Sequence, residues 1–108
     1  SGERVAEKFL TEKGFRLIER NYRYERGEID LIFDDHRILV FVEVKTRGSD
    51  AYGEPEDSIT PRKRRQIRKV AEAYLWEKNI KDTECRFDVV AIKRDGMKET
   101  INYYENAF

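Results

Sequence analysis

The sequence predicts a mixed α/β fold: a central sheet flanked by helices, in the order α-β-β-β-α-β-β. Three observations carry this. Two stretches repeat apolar residues at helical spacing, five short runs rich in Ile, Val, Phe and Tyr alternate as strands do, and turn residues punctuate them. With 108 residues the chain has room for one domain around one modest core, expected over 1–108.

From Arg4 to Lys13 the stripe Val5, Ala6, Phe9, Leu10 marks a first helix, ended by Gly14. "FRLIERNYRYE" (15–25) reads as a strand and Arg26-Gly27 as a turn. "EIDLIF" (28–33) and "RILVFVEVKT" (37–46) form two strands across a turn at Asp34–His36. The polar, acidic, Gly- and Pro-containing stretch over about 47–60 predicts a mobile loop. Thr60 followed by Pro61 is an N-cap signal for a helix to about Lys78, with Asn79 as its stop. "CRFDVVAIKR" and "KETINYYEN" flank Asp95-Gly96, a hairpin signal. Trp76, Tyr103 and Tyr104 read as packing residues.

Composition narrows the function classes. Charged residues make up 41% and apolar ones 39%, a highly charged chain that still has the material for a core. No segment approaches the roughly 18 apolar residues of a membrane span, and no signal peptide is visible. One cysteine, Cys85, excludes an internal disulfide framework and fits a reducing cytoplasm. Net charge is zero, but residues 1–58 carry 10 Lys/Arg against 14 Asp/Glu and residues 59–108 carry 12 against 8. Such asymmetry points weakly to a charged ligand.

The sharpest feature is "FVEVKTR" (41–47). Strand alternation sets Glu43 and Lys45 on one face, at the end of an apolar run where a purely structural strand would carry apolar residues. An odd pairing sum in the hairpin, with Asp30 facing Phe41 and Ile29 facing Val42, puts Asp30 on that face too. It leaves Ile29, Leu31, Phe33, Ile38, Val40, Val42 and Val44 as an all-apolar opposite side, which a one-residue slip would scramble. Two carboxylates and an ammonium at one spot shift each other's pKa and suit a hard divalent cation. The competing reading is a cross-strand salt bridge on a half-exposed sheet. Glu3, on the rim of the first helix's stripe, is positioned to reach inwards, or else simply complements the helix dipole.

"PRKRRQIRK" (61–69) has six basic residues and no acid. Arg65, Arg68 and Lys69 fall on the solvent side, as phosphate contacts or as an ordinary solvated face. Lys63 falls inwards, towards the polar end of the sheet or as a snorkelling side chain. "RNYRYER" interleaves arginines with tyrosines, which fits base stacking or plain sheet-face alternation.

"GE" (2–3), "EKGF" (12–15), "RNYR" (20–23), "GEIDLI" (27–32), "VFVEVKTR" (40–47) and "RFDVVAI" (86–92) together resemble the YraN-type family of small bacterial proteins, over essentially the whole chain. That family is placed in the restriction-endonuclease-like, or PD-(D/E)xK, superfamily. Archaeal Holliday-junction resolvases are similar in layout, with a helix-one glutamate spaced from a Gly-Phe pair as Glu3 is from Gly14. The resemblance implies a Mg²⁺- or Mn²⁺-dependent nuclease site. Asp30 and Glu43 would be its acids, Lys45 its lysine, Glu3 an additional acid, and the Val44 carbonyl a further metal ligand. Asn21 and Arg23, which match the family motif, would support the site, and Thr46 and Arg47 would hold the backbone phosphate. The superfamily's Pro-Asp pair appears here as Ile29-Asp30. The implied partner is nucleic acid, DNA ahead of RNA, without a membrane and with a homodimer expected for so small a subunit. The alternative is a noncatalytic nucleic-acid-binding or scaffold module on the same fold.

Overall fold

The computed structural model describes residues 1–48 and 59–108. Its elements are α1 (Gly2–Glu12), β1 (Arg16–Tyr24), β2 (Gly27–Asp35), β3 (Ile38–Gly48), α2 (Pro61–Glu77), β4 (Cys85–Asp95) and β5 (Lys98–Tyr104). The strands form a single sheet in the order β1-β2-β3-β4-β5. All neighbours are antiparallel except β3 and β4, which run parallel because α2 carries the chain back between them. No helix among the described residues is long and apolar enough to cross a membrane.

Local chemistry sets the ends. The Lys63 backbone N–H donates to the Thr60 hydroxyl at 3.1 Å, and Pro61 opens α2. Asn79 and Gly14, both at positive φ, follow the two helices. At the β2–β3 hairpin the two linking residues are His36 (φ 50°) and Arg37 (φ 75°), the left-handed pair of a type I′ turn. The Arg37 N–H donates to Asp34 Oδ1 at 3.1 Å. This turn lies one residue beyond the expected one, so Leu31, not Ile29, pairs with Val42. The shift is two residues in the pairing sum and leaves the faces unchanged.

Each sheet face is closed by one helix. Ile32, Leu39, Phe41 and Phe87 pack with Ile67, Val70 and Tyr74 of α2. Leu31, Phe33, Val40, Val42, Val90 and Ile92 pack with Ala6 and Leu10 of α1. Gly27 permits close approach: a Cβ there would sit 2.5 Å from Val70 Cγ2.

Three expectations change. β3 runs on through Gly48 and Ile59 is buried, while the remainder of the expected loop lies outside the described residues. Trp76 is 86% exposed, because it falls on the α2 face turned from the sheet. Ile29 packs with the α2 cluster instead of beside Leu31. The cause is in β1. Arg20 pairs with Glu7 of α1, and Asn21, at φ 51°, also turns to α1, where it meets Glu3. Two consecutive side chains on one face reverse the strand's phase, so Tyr22 and its ladder partner Ile29 both go to α2.

Candidate active site

The phase reversal falls between the ladder pairs Arg20↔Leu31 and Tyr22↔Ile29, which puts Asn21 across from Asp30. On the other side of β2, hydrogen-bonded pairing to β3 ends at Leu31↔Val42; one more step would set Asp30 opposite Glu43. Asp30 instead accepts the Val44 backbone N–H on Oδ2 at 2.7 Å, capping the amide that a regular ladder would have used.

Asp30 and Glu43 are only 9% and 8% exposed, an unusual depth for two carboxyls side by side. Burial, then the hydrogen bond to Glu43 and its charge, push Asp30 up to about 8, against the pull of the Val44 amide. Near neutral pH the pair therefore holds a proton. Glu43 Oε2 is buried with no hydrogen-bond partner among the described residues. Its nearest cation is Lys63 Nζ, at 3.8 Å and half exposed.

The other anticipated residues fall around this pair unequally. Lys45 and Arg47 follow Glu43 on the same face of β3 by alternation and are half-buried. Arg47 Nε is enclosed without a partner among the described residues, and the Lys45 ammonium enters no ion pair there. Thr46 lies on the opposite face, so close to Gly2 that a Cβ on the glycine would collide with its hydroxyl. Arg23 is exposed and pairs with Glu28 at 3.4 Å. Arg65, Arg68 and Lys69 are exposed along α2; the Arg68 guanidinium lies 5.0 Å from the Phe87 ring centroid and Lys69 Nζ 3.6 Å from Glu25.

Glu3 is not drawn into the pair. Its Oε1 accepts from Asn21 Nδ2 at 2.9 Å, and among the described residues no three acidic, His or Cys side chains group tightly enough to hold a metal. Two acids converge, and the third stands behind Asn21. Asn21, which the resemblance placed with Arg23 in a supporting role, was not read as left-handed, although asparagine in a strand-like run is a left-handed signal. The buried Arg86–Asp88 pair was overlooked, even though "RFDVV" shows the same charged alternation as "VEVK".

A five-stranded mixed sheet between two helices, with paired acids beside the N-terminal turn of α2, defines the class: an α/β protein with a buried carboxyl pair on adjacent strands of its sheet. Within it, the chain belongs to the family described as "Uncharacterised protein family UPF0102", the YraN-type family, whose model matches residues 2–92. It is similar to a UPF0102 protein of Chlorobium limicola, 46% identical over 99% of this chain and 88% of the relative. It is also similar to one of Pelotomaculum thermopropionicum, 42% identical over 99% and 91%. A third, from Chlorobium phaeobacteroides, is 50% identical over 84% and 72%.

Proposed function

We propose that this protein is a metal-dependent phosphodiester hydrolase acting on nucleic acid, DNA in preference to RNA, on a restriction-endonuclease-like fold. The observation that carries this reading is the buried Asp30–Glu43 pair, whose Glu43 Oε2 has no hydrogen-bond partner among the described residues. Two carboxyls buried side by side cost stability once both are ionised, and Lys63 can offset only Glu43. A divalent cation would offset both.

The donors fit a hard ion. Mg²⁺ binds through one or two carboxylates while keeping water and substrate oxygens, so Asp30, Glu43 and the Val44 carbonyl suffice without Glu3; Mn²⁺ suits the same set. Such an ion, when bound, polarises the phosphate and acidifies a water. The chain's own residues supply the rest. Lys45, free of ion pairs among the described residues, can orient that water or meet charge developing on the phosphate. Arg47 has an N–H without a partner among the described residues, available to a phosphate oxygen. Lys63 sits in the first turn of α2, whose positive end favours an anion. Arg65, Arg68 and Lys69 extend a basic surface from there, giving salt-dependent affinity without base preference.

The test is cleavage of single-stranded, duplex and branched DNA, and of RNA, with Mg²⁺ or Mn²⁺. Cleavage lost in chelator and abolished by Asp30→Asn and by Lys45→Ala is the expected result. No cleavage of any form, with salt-sensitive binding indifferent to both substitutions, would instead identify a noncatalytic binding module.

A further inference from the structure

The geometry points to Asn21 as the positioning residue of the Asp30–Glu43 pair, acting through its left-handed backbone and, by its amide, through Glu3. This rests on the hydrolase reading for its functional consequence but not for its structural one.

A non-glycine residue at φ 51° inside a strand is held there by its surroundings at some energetic cost, and such strain gathers at working sites. What it does here is visible on both strands. With regular alternation, Ile29 and Leu31 would share the α1 face and Asp30 would stand in a normal ladder position. Because β1 reverses phase at Asn21, β2 reverses opposite it, and Ile29 joins Tyr22 and Tyr74. Asp30 lies at the crossing. Its carboxyl turns along the sheet to the Val44 N–H beside Glu43, which no regular strand residue would do. The same backbone choice aims the Asn21 amide at Glu3 Oε1. The helix-borne acid is thus tied to the strand residue facing Asp30, one turn from the Glu7–Arg20 pair at 2.7 Å.

Two substitutions separate the backbone from the amide. Asn21→Gly tolerates positive φ but has no amide, whereas β-branched Asn21→Val resists positive φ. The readouts are the contact between the Tyr22 and Tyr74 rings, whose centroids lie 5.0 Å apart, followed by nuclear Overhauser effects, and Mn²⁺ affinity by calorimetry. Asn21→Gly is expected to keep the ring contact and lose about tenfold in Mn²⁺ affinity, because Glu3, though no ligand itself, no longer pins the strand residue facing Asp30. Adding Glu3→Ala to it should cost no more than Glu3→Ala alone, since the amide acts through Glu3. Asn21→Val is expected to lose both the ring contact and Mn²⁺ binding. An Asn21→Val protein with wild-type ring contacts overturns the backbone role; wild-type Mn²⁺ affinity in Asn21→Gly overturns the amide role, and carries the test if the valine variant does not fold. Failure of the wild-type protein to bind Mn²⁺ would sink the hydrolase reading, leaving the ring contacts to decide the role of Asn21.

Discussion

The molecule buries charge in two places, and they are built on opposite logic. Arg86 and Asp88 stand two apart on β4, on the α1 side of the sheet. Asp88 is fully buried, yet each oxygen is used. It takes the Arg86 guanidinium at 3.0 to 3.3 Å, the Tyr103 hydroxyl, and the Asn106 backbone N–H at 2.8 Å. Arg86 has Asp35 and Glu105 as further partners at 3.6 and 3.7 Å. Burial works against its charged form, but the Asp88 hydrogen bond and charge, with Tyr103 and Glu105 behind them, hold its guanidinium above even its ordinary range; Tyr103 is likewise kept firmly protonated by burial and by Asp88. Asp30 and Glu43 have the reverse arrangement: two acids together, one oxygen without a hydrogen-bond partner among the described residues, and a half-exposed lysine beside them. Depth alone does not mark a site. Unmet demand at depth does, because a satisfied network is finished whereas an unsatisfied one leaves room for something else to bind.

Breaking the satisfied network should have the largest effect. Asp88→Ala leaves Arg86 charged and short of its main partner, at an expected loss of about 3–5 kcal/mol. In a domain of this size each kcal/mol moves the melting temperature by roughly 4–8 °C, so a fall under about 10 °C in thermal denaturation would contradict the assignment.

The frustrated pair should respond with opposite sign. Folded, Asp30 keeps its proton up to about pH 8, whereas unfolded it loses it near 3.8. Its contribution to stability is thus complete below about pH 4, drains as pH rises, and is gone above about pH 8. Asp30→Asn lacks that slope and should be more stable than wild type by at least about 1 kcal/mol at pH 8, with the gap closing towards pH 4. Denaturant midpoints across that range check it; parallel curves for the two proteins would be decisive against it.

The smallest of the three effects sharpens the contrast. Tyr103→Phe removes one of several donors to Asp88 and should cost about 1–2 kcal/mol without altering the pH dependence ascribed to Asp30. Urea titration at two pH values measures both quantities at once.

Much of this architecture was legible in the sequence because short-range chemistry wrote it there. Thr60-Pro61, Gly14 and Asn79 mark helix ends, and alternation in "LIFDD" and "ILVFVEV" assigns the two faces of β2 and β3 even though the register moved by two. The phase of β1 was not legible, since alternation assumes one backbone conformation throughout and Asn21 departs from it. Trp76 was misjudged for a different reason: an aromatic residue was expected to be covered, although the helical wheel that buries Ile67, Val70, Ala71 and Tyr74 turns it away from the sheet.

On its own, the sequence determined the element order, the two apolar faces and the set of acidic and basic side chains available to a site, because these depend on spacing along the chain. Tertiary structure alone decided which of those charges meet. Asp30 joins Glu43 and Glu3 stops at Asn21 because one left-handed residue and the end of a strand ladder redirect them, and Asp88 is quiet because partners from β5 and the residues after it close around it. Partnership between charges separated by many residues is a property of packing, which local pattern does not encode.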